Sequence, residues 1–146
     1  MRWTIAQVAQ ALHARPGSGL DPLARLAGVS IDSRSLRSGE LFIAIHGPRH
    51  DGHDHVATIL ENGALAAVVA DWQLSRYQGW VADRCIPVPD TFEALKQFAR
   101  AVREAWGGKI AGVPGSVGKT TTNEILASLL ARQSRLPKSE GHVNTR

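Results

Sequence analysis

Within GVPGSVGKTTTNE, residues 112–124, the run Gly115-Ser116-Val117-Gly118-Lys119-Thr120 has the residue types and spacing of a loop that holds phosphates. Glycines let backbone N–H groups turn toward an anion, and a helix start just beyond adds partial positive charge. Lys119, the candidate catalytic residue, would reach the β- and γ-phosphate oxygens of ATP, and the Thr120 hydroxyl would coordinate the accompanying Mg²⁺. The strict pattern asks for glycine five residues before Gly118, where Val113 stands, and Pro114 removes a backbone donor immediately ahead of the loop. A strand end at Pro114, its nitrogen turned from the ligand, accommodates that departure. A Gly-Lys-Thr turn that merely caps a helix is the alternative. The apolar run Ile110 to Val113 before the loop, and Ile125, Leu126, Leu129 and Leu130 at helical spacing after it, favour the nucleotide site.

A second group lies in HGPRHDGHDH, where His46, His50, His53 and His55 fall within ten residues together with Asp51 and Asp54. Imidazole and carboxylate suit zinc, but the set matches no standard ligand spacing. A plain polar loop, with Asp54 capping a helix, and a substrate-binding loop are the other two readings. A third candidate is IDSR, residues 31–34, just past a strand end, a common place for ligand contacts in α/β folds. Arg34 would grip phosphate with two parallel hydrogen bonds and Ser33 would bond a uracil or phosphate oxygen. A turn in which Asp32 bonds its own backbone explains the same residues.

The elements that must carry these groups alternate. Thr4 and Gln7 form a capping box ahead of Ile5, Val8, Ala9 and Leu12 on one helical face, and Pro16-Gly17 ends the run. GVSIDSR and GELFIAIHG read as strands, a helix runs from about Asp54 to Asn62-Gly63, and ALAAVVA and CIPVP are further strands. Asp90 and Glu93 cap the longest helix, with Phe92, Leu95, Phe98, Ala99, Val102 and Trp106 at three- and four-residue intervals before Gly107-Gly108. The stretch around Trp72 to Trp80 is polar and aromatic. Strand and helix patterns in turn imply an α/β fold. A proline-containing stretch between about Ala82 and Asp90 marks the best boundary, giving units 1–84 and 85–146.

The 146 residues allow one ordinary domain, or a small one and part of another. Hydrophobic residues at 43% and charged residues at 21% exclude a disordered or fibrous chain. The net charge of +4 is scattered, so no nucleic acid partner is implied; it suits a small anionic substrate or an ordinary solvated surface. Neither a signal peptide nor a run of about 18 apolar residues that would insert in a membrane is present. The lone Cys85 excludes an internal disulfide, reads as a small buried residue and fits the reducing cytoplasm. The four tryptophans, on separate elements, read as packing residues rather than base-stacking ones.

Together, GSVGKTTTNE, the span from SIDSR through GALAAVV, and KSEGHVNTR resemble the Mur ligases, ATP-dependent amide-bond formers of peptidoglycan precursor synthesis, over most of the chain. The resemblance is nearest to the member that adds D-alanyl-D-alanine to UDP-N-acetylmuramoyl-tripeptide. The member that adds the third amino acid usually carries Thr-Asn between the loop glycines, where Ser116-Val117 stand here. It implies a small N-terminal domain that binds the UDP substrate, followed by the start of a P-loop ATPase domain, the chain being an N-terminal fragment inactive alone. The absence of acids after Lys119 other than Glu124 and Glu140 agrees, because such an ATPase needs a further acidic residue for Mg²⁺. The family loop G-x-x-G-K-T-T extends the ATP contacts to Thr121. The D-G-H segment, with Gly47, Asp51 and His53, is implied to lie beside the nucleotide end of the substrate along with Ser33 and Arg34. Asn144 is implied to be a polar substrate contact. Pro114 replaces the family's usual Thr and His142 its usual Asn. The implied reaction passes the γ-phosphoryl of ATP to the tripeptide carboxylate, and the amine of D-alanyl-D-alanine attacks the acyl phosphate. A non-catalytic module that binds ATP or a UDP-sugar is the alternative of another class.

Overall fold

Leu41-Phe42-Ile43 and Ala66–Ala70 are uninterrupted apolar runs, and in the computed structural model, which describes residues 3–108, both are central strands of a parallel sheet. Such runs are what a strand covered on both faces requires. The four strands among the described residues, β1 (Val29–Ser30), β2 (Leu41–Ile43), β3 (Ala66–Ala70) and β4 (Cys85–Val88), lie side by side in chain order. The register pairs Val29 with Leu41, Phe42 with Ala67, and Val68 with Ile86. Pro87, which lacks an amide hydrogen, is tolerated because β4 is the last strand of the sheet among the described residues.

Side chains alternate between two layers. Leu41, Ile43, Ala66, Val68, Ile86 and Val88 share a core with α1 (Ile5–Ala11) and α4 (Thr91–Trp106), which contribute Ile5, Val8, Ala94 and Phe98. Phe42, Ala67, Val69 and Cys85 share the other with α2 (Val56–Glu61), flanked by Val81 of α3 (Trp80–Asp83). The capping box at Thr4 and Gln7 forms as expected, and Asp90 accepts from the amides of Phe92 and Glu93 at the start of α4. Trp3 packs edge-on against Phe98, whereas Trp72, Trp80 and Trp106 are exposed.

Local details differ from the strand and helix bounds expected. The strand of GVSIDSR ends at Ser30, which leaves Ser33 and Arg34 just past it as expected, and the Asp32 carboxylate takes the Arg34 amide in a turn. The helix expected from Asp54 begins as a 3-10 turn over Gly52–His55 capped by Asp51, and Asp54 instead pairs with Arg76. The stretch after β3 contains a 3-10 turn, Asp71–Arg76, and then α3. The boundary expected near residue 84 falls inside the sheet: β4 pairs with β3, α4 joins the core, and the compact unit runs to Gly107.

The beginning of this unit is fastened to its last strand. The amides of Gly17 and Gly19 donate to the carbonyls of Cys85 and Asp83, and the Ser18 hydroxyl donates to the Asp83 carboxylate at 2.6 Å. A β-carbon on Gly17 would lie 2.3 Å from the Asp83 carbonyl oxygen, so no other residue allows this approach. Among the described residues no helix is long and apolar enough to cross a membrane.

Candidate functional site

In a parallel sheet the segments that leave the strands all emerge at one edge, where α/β folds bind ligands. Ser33 and Arg34 follow β1, and Gly47, Asp51 and His53 follow β2, so the topology brings five of the expected site residues to that edge. Gly115, Ser116, Val117, Gly118, Lys119, Thr120, Thr121 and Asn144 lie outside the described residues.

The β1 segment is a self-contained turn. Arg34 donates through Nε and Nη2 to the two oxygens of Asp32 at 3.0 and 2.9 Å, with 87% of its side chain exposed. Hydrogen bonds from the Arg34 side chain, then from its amide, hold the Asp32 carboxyl down at about 2. The fork that would grip phosphate is therefore occupied by a neighbour in solvent, where a competing anion displaces it at little cost. Ser33 is half-buried.

The β2 segment is tied inward instead. His46 and Asp51 form an isolated antiparallel bridge, and the Gly47 amide donates to the His50 carbonyl, so residues 46–51 make a small looped ribbon whose tip, Pro48-Arg49-His50, is exposed. Gly52 closes its base: its amide donates to the Ile45 carbonyl, and a β-carbon there would meet the Ile45 nitrogen at 2.9 Å. Asp51 caps the 3-10 turn by accepting the His53 amide at 3.0 Å. Its carboxylate also meets the His53 ring at 2.6 Å and the His46 ring at 3.3 Å. Burial would raise the Asp51 carboxyl, but the bonds from the His53 amide and ring and from His46 outweigh it and hold the group below its ordinary value.

The His53 ring is fully buried, and both of its nitrogens are used. Nε2 accepts the Ala70 amide at 3.0 Å, so the proton sits on Nδ1 and is donated to Asp51. Both ring nitrogens are thus engaged within the protein, because the helical turn at 52–55 drives the ring beneath the loop. Tyr77 donates to the His53 carbonyl at 2.8 Å, and burial pushes its phenol up to about 12, so it stays a donor. Among the described residues no three His, Cys, Asp or Glu side chains converge as a metal site. The zinc reading of the histidine cluster therefore has no geometric support there.

Residues not singled out in the sequence complete this edge. Arg76 bonds Asp54 at 2.6 Å and approaches Asp51 at 3.9 Å, and Gln73 reaches Asp51 at 3.5 Å. Arg49, at the ribbon tip, is exposed and makes no side-chain hydrogen bond or ion pair among the described residues. Its position between Gly47 and Asp51 was the available signal; nothing in the sequence marks Arg76. An open groove of about 430 Å³ runs between the β1 edge and α4, lined by Val29, Ser30, Ile31, Leu95, Phe98, Ala99 and Val102. It contains none of the candidate residues, and Ser30 is its only polar side chain.

The sequence profile described as "Mur ligase family, catalytic domain" matches residues 25–103, more than half of the chain. The chain belongs to the Mur ligase family. Among Mur ligases it is similar to the UDP-N-acetylmuramoyl-tripeptide–D-alanyl-D-alanine ligase of Bacillus subtilis (strain 168), at 38% identity over 117 residues covering 80% of this chain and 25% of the relative. It is also similar to the UDP-N-acetylmuramoyl-L-alanyl-D-glutamate–2,6-diaminopimelate ligase of Syntrophomonas wolfei, at 38% identity over 112 residues, covering 75% of this chain and 22% of the relative. A crystal structure of MurF from Acinetobacter baumannii superposes with a TM-score of 0.77 at 32% identity, over 92% of this chain and 28% of that one. The chain thus spans about a quarter of the length of the Mur ligases it matches. The family match contains Ser33, Arg34, Gly47, Asp51 and His53 and ends before residues 115–121.

Proposed function

We propose that this protein serves an ATP-dependent ligation that joins D-alanyl-D-alanine to UDP-N-acetylmuramoyl-tripeptide in the cytoplasm. The observation that carries this reading is the 38% identity, across 80% of the chain, to the Bacillus subtilis ligase of that name. The loop-bearing edge of the sheet supports it chemically. Arg34 and Arg49 are exposed guanidiniums on neighbouring segments, and a planar fork suits the oxygens of a diphosphate. In this reading the unit up to Gly107 binds the UDP end of the substrate, and Ser33, Gly47 and Asp51 border that site. Asn144 adds a polar contact.

The types of residues 115–121 fit ATP and Mg²⁺. Glycine amides and Lys119 would hold the phosphates, with Thr121 beside them, and Thr120 would ligate the ion. Bound Mg²⁺ would offset charge on the phosphate oxygens. A second reading, addition of the third amino acid to the same precursor, is favoured by the equal identity to the Syntrophomonas ligase.

Calorimetric titration of the chain with UDP-N-acetylmuramoyl-tripeptide, with UDP-N-acetylmuramoyl-L-alanyl-D-glutamate, and with Mg-ATP tests these readings, each repeated on Lys119→Ala. Binding of the tripeptide compound in preference to the shorter one, unaffected by Lys119→Ala, supports the first. The reverse preference supports the second. ATP binding that is lost on Lys119→Ala, with no response to either UDP compound, would sink both in favour of a nucleotide-binding module.

A further inference from the structure

The β2–β3 ladder stops at Ile43 and Val68, the Ala44 amide donating to the Val68 carbonyl at 3.0 Å. The next β3 amide on that side, Ala70, finds no strand partner. The His53 ring fills the place of the missing rung, accepting Ala70 N–H at Nε2 while Nδ1 holds Asp51 at 2.6 Å. An imidazole is suited to this task because its two nitrogens, one accepting and one donating, point in different directions on a rigid ring. Ala70 is buried, so without the ring its amide would be orphaned. Asp51 in turn holds His46 at the first residue of the exposed ribbon.

We propose that His53 is a positioning residue: the bonds from β3 through its ring to Asp51 and His46 hold the 46–51 ribbon in the form that receives the nucleoside diphosphate end of the substrate. The proposal rests on the substrate reading above. It assigns His53 no contact with substrate. The ring instead transmits the rigidity of the sheet to a loop whose tip is exposed, so ordering need not be supplied at binding.

Two substitutions separate the halves of the clasp. In His53→Gln the side-chain oxygen reaches the Nε2 position and keeps the Ala70 bond; in His53→Asn the amide reaches only Asp51. Native-state hydrogen exchange on the ¹⁵N-labelled chain reads Ala70, Gly47 and Gly52 against sheet amides such as Val68, and calorimetry reads the binding of UDP. His53→Asn is expected to lose protection at Ala70, Gly47 and Gly52 by about tenfold more than at Val68, and to bind UDP about tenfold more weakly, the loss of one hydrogen bond's worth of ordering. His53→Gln is expected to keep Ala70 protection within about threefold of wild type but, having lost the bond to Asp51, to lose Gly47 protection and UDP binding by about tenfold as well. Wild-type exchange and UDP binding in His53→Asn would overturn the proposal and leave the substrate reading standing. A wild-type chain that does not bind UDP would overturn the substrate reading and, with it, the role in binding. The exchange data would then retain only an anchored loop.

Discussion

The turn after β1 and the ribbon after β2 lie on neighbouring strands and both carry candidate ligand groups, yet they are held in opposite ways. Asp32-Ser33-Arg34 is closed by contacts two residues apart, with Arg34 exposed to solvent. Residues 46–53 are closed by contacts that reach β3, 17 residues away in sequence, through a buried ring. The first arrangement leaves a charged group ready to exchange its partner but fixes its direction weakly. The second fixes a backbone path firmly and spends its polar groups on doing so. A site that must recognise an anion and hold its shape has reason to use both.

The largest expected break in that contrast is His53→Ala. It leaves the Ala70 amide and part of the Asp51 carboxylate unpaired beside a cavity, for which a loss of about 2–4 kcal/mol in urea unfolding is expected. Arg34→Ala should leave the urea midpoint unchanged, since its pair is solvent-exposed. Equal losses in the two variants would erase the distinction. Next in size is Gly52→Ala, whose β-carbon would press on the backbone of Ala44 and Ile45. A cost of about 1–3 kcal/mol is expected from such overpacking. Gly47→Ala meets only the His50 carbonyl, at 3.3 Å, in a ribbon free to give, so thermal unfolding should rank it well below Gly52→Ala.

Acid titration followed by carboxyl carbon shifts sharpens the contrast further. Asp32 should titrate at about 2 and Asp51 below the ordinary 3.8. Both folded values are depressed, so each group's contribution to stability is present above the unfolded value and is lost as pH falls through the folded one. For Asp51 this loss should release the ribbon, visible as faster exchange of the Gly47 amide. For Asp32 it should free Arg34 with no change in the sheet. The smallest effect expected is chemical silence at Cys85: burial pushes its thiol up to about 12, so the folded chain should not react with a disulfide reagent at pH 8. Rapid reaction would show that the layer beneath α2 opens readily.

What was legible in the sequence follows the same division. Local signals were read correctly: Thr4 with Gln7, Asp90 with Glu93, and the unbroken apolar runs of β2 and β3. The α/β class followed from them. Contacts that depend on tertiary placement were not legible. D-G-H marks a loop, but that His53 turns inward to Ala70 depends on where β3 ends beside β2. Asp54 looked like a cap because nothing in the sequence announces Arg76 as its partner. CIPVP reads as a strand, but its prolines also suggest a boundary, and only its pairing with β3 puts it in the same sheet as the strands before it.

The fastening of Gly17 and Gly19 to Asp83 and Cys85 has a consequence for the order in which the chain assembles. Strands that lie in the sheet in the order of synthesis let each arrival dock on the one just made, without waiting for distant chain. The segment after the opening helix has no such freedom. Its tether at Gly17 and Gly19 is made to residues synthesised more than sixty positions later, so this segment is fastened only as β4 arrives. A bulkier residue at Gly17 would leave a paired sheet with a loose segment at 17–19, and a protease added during refolding would cut there first.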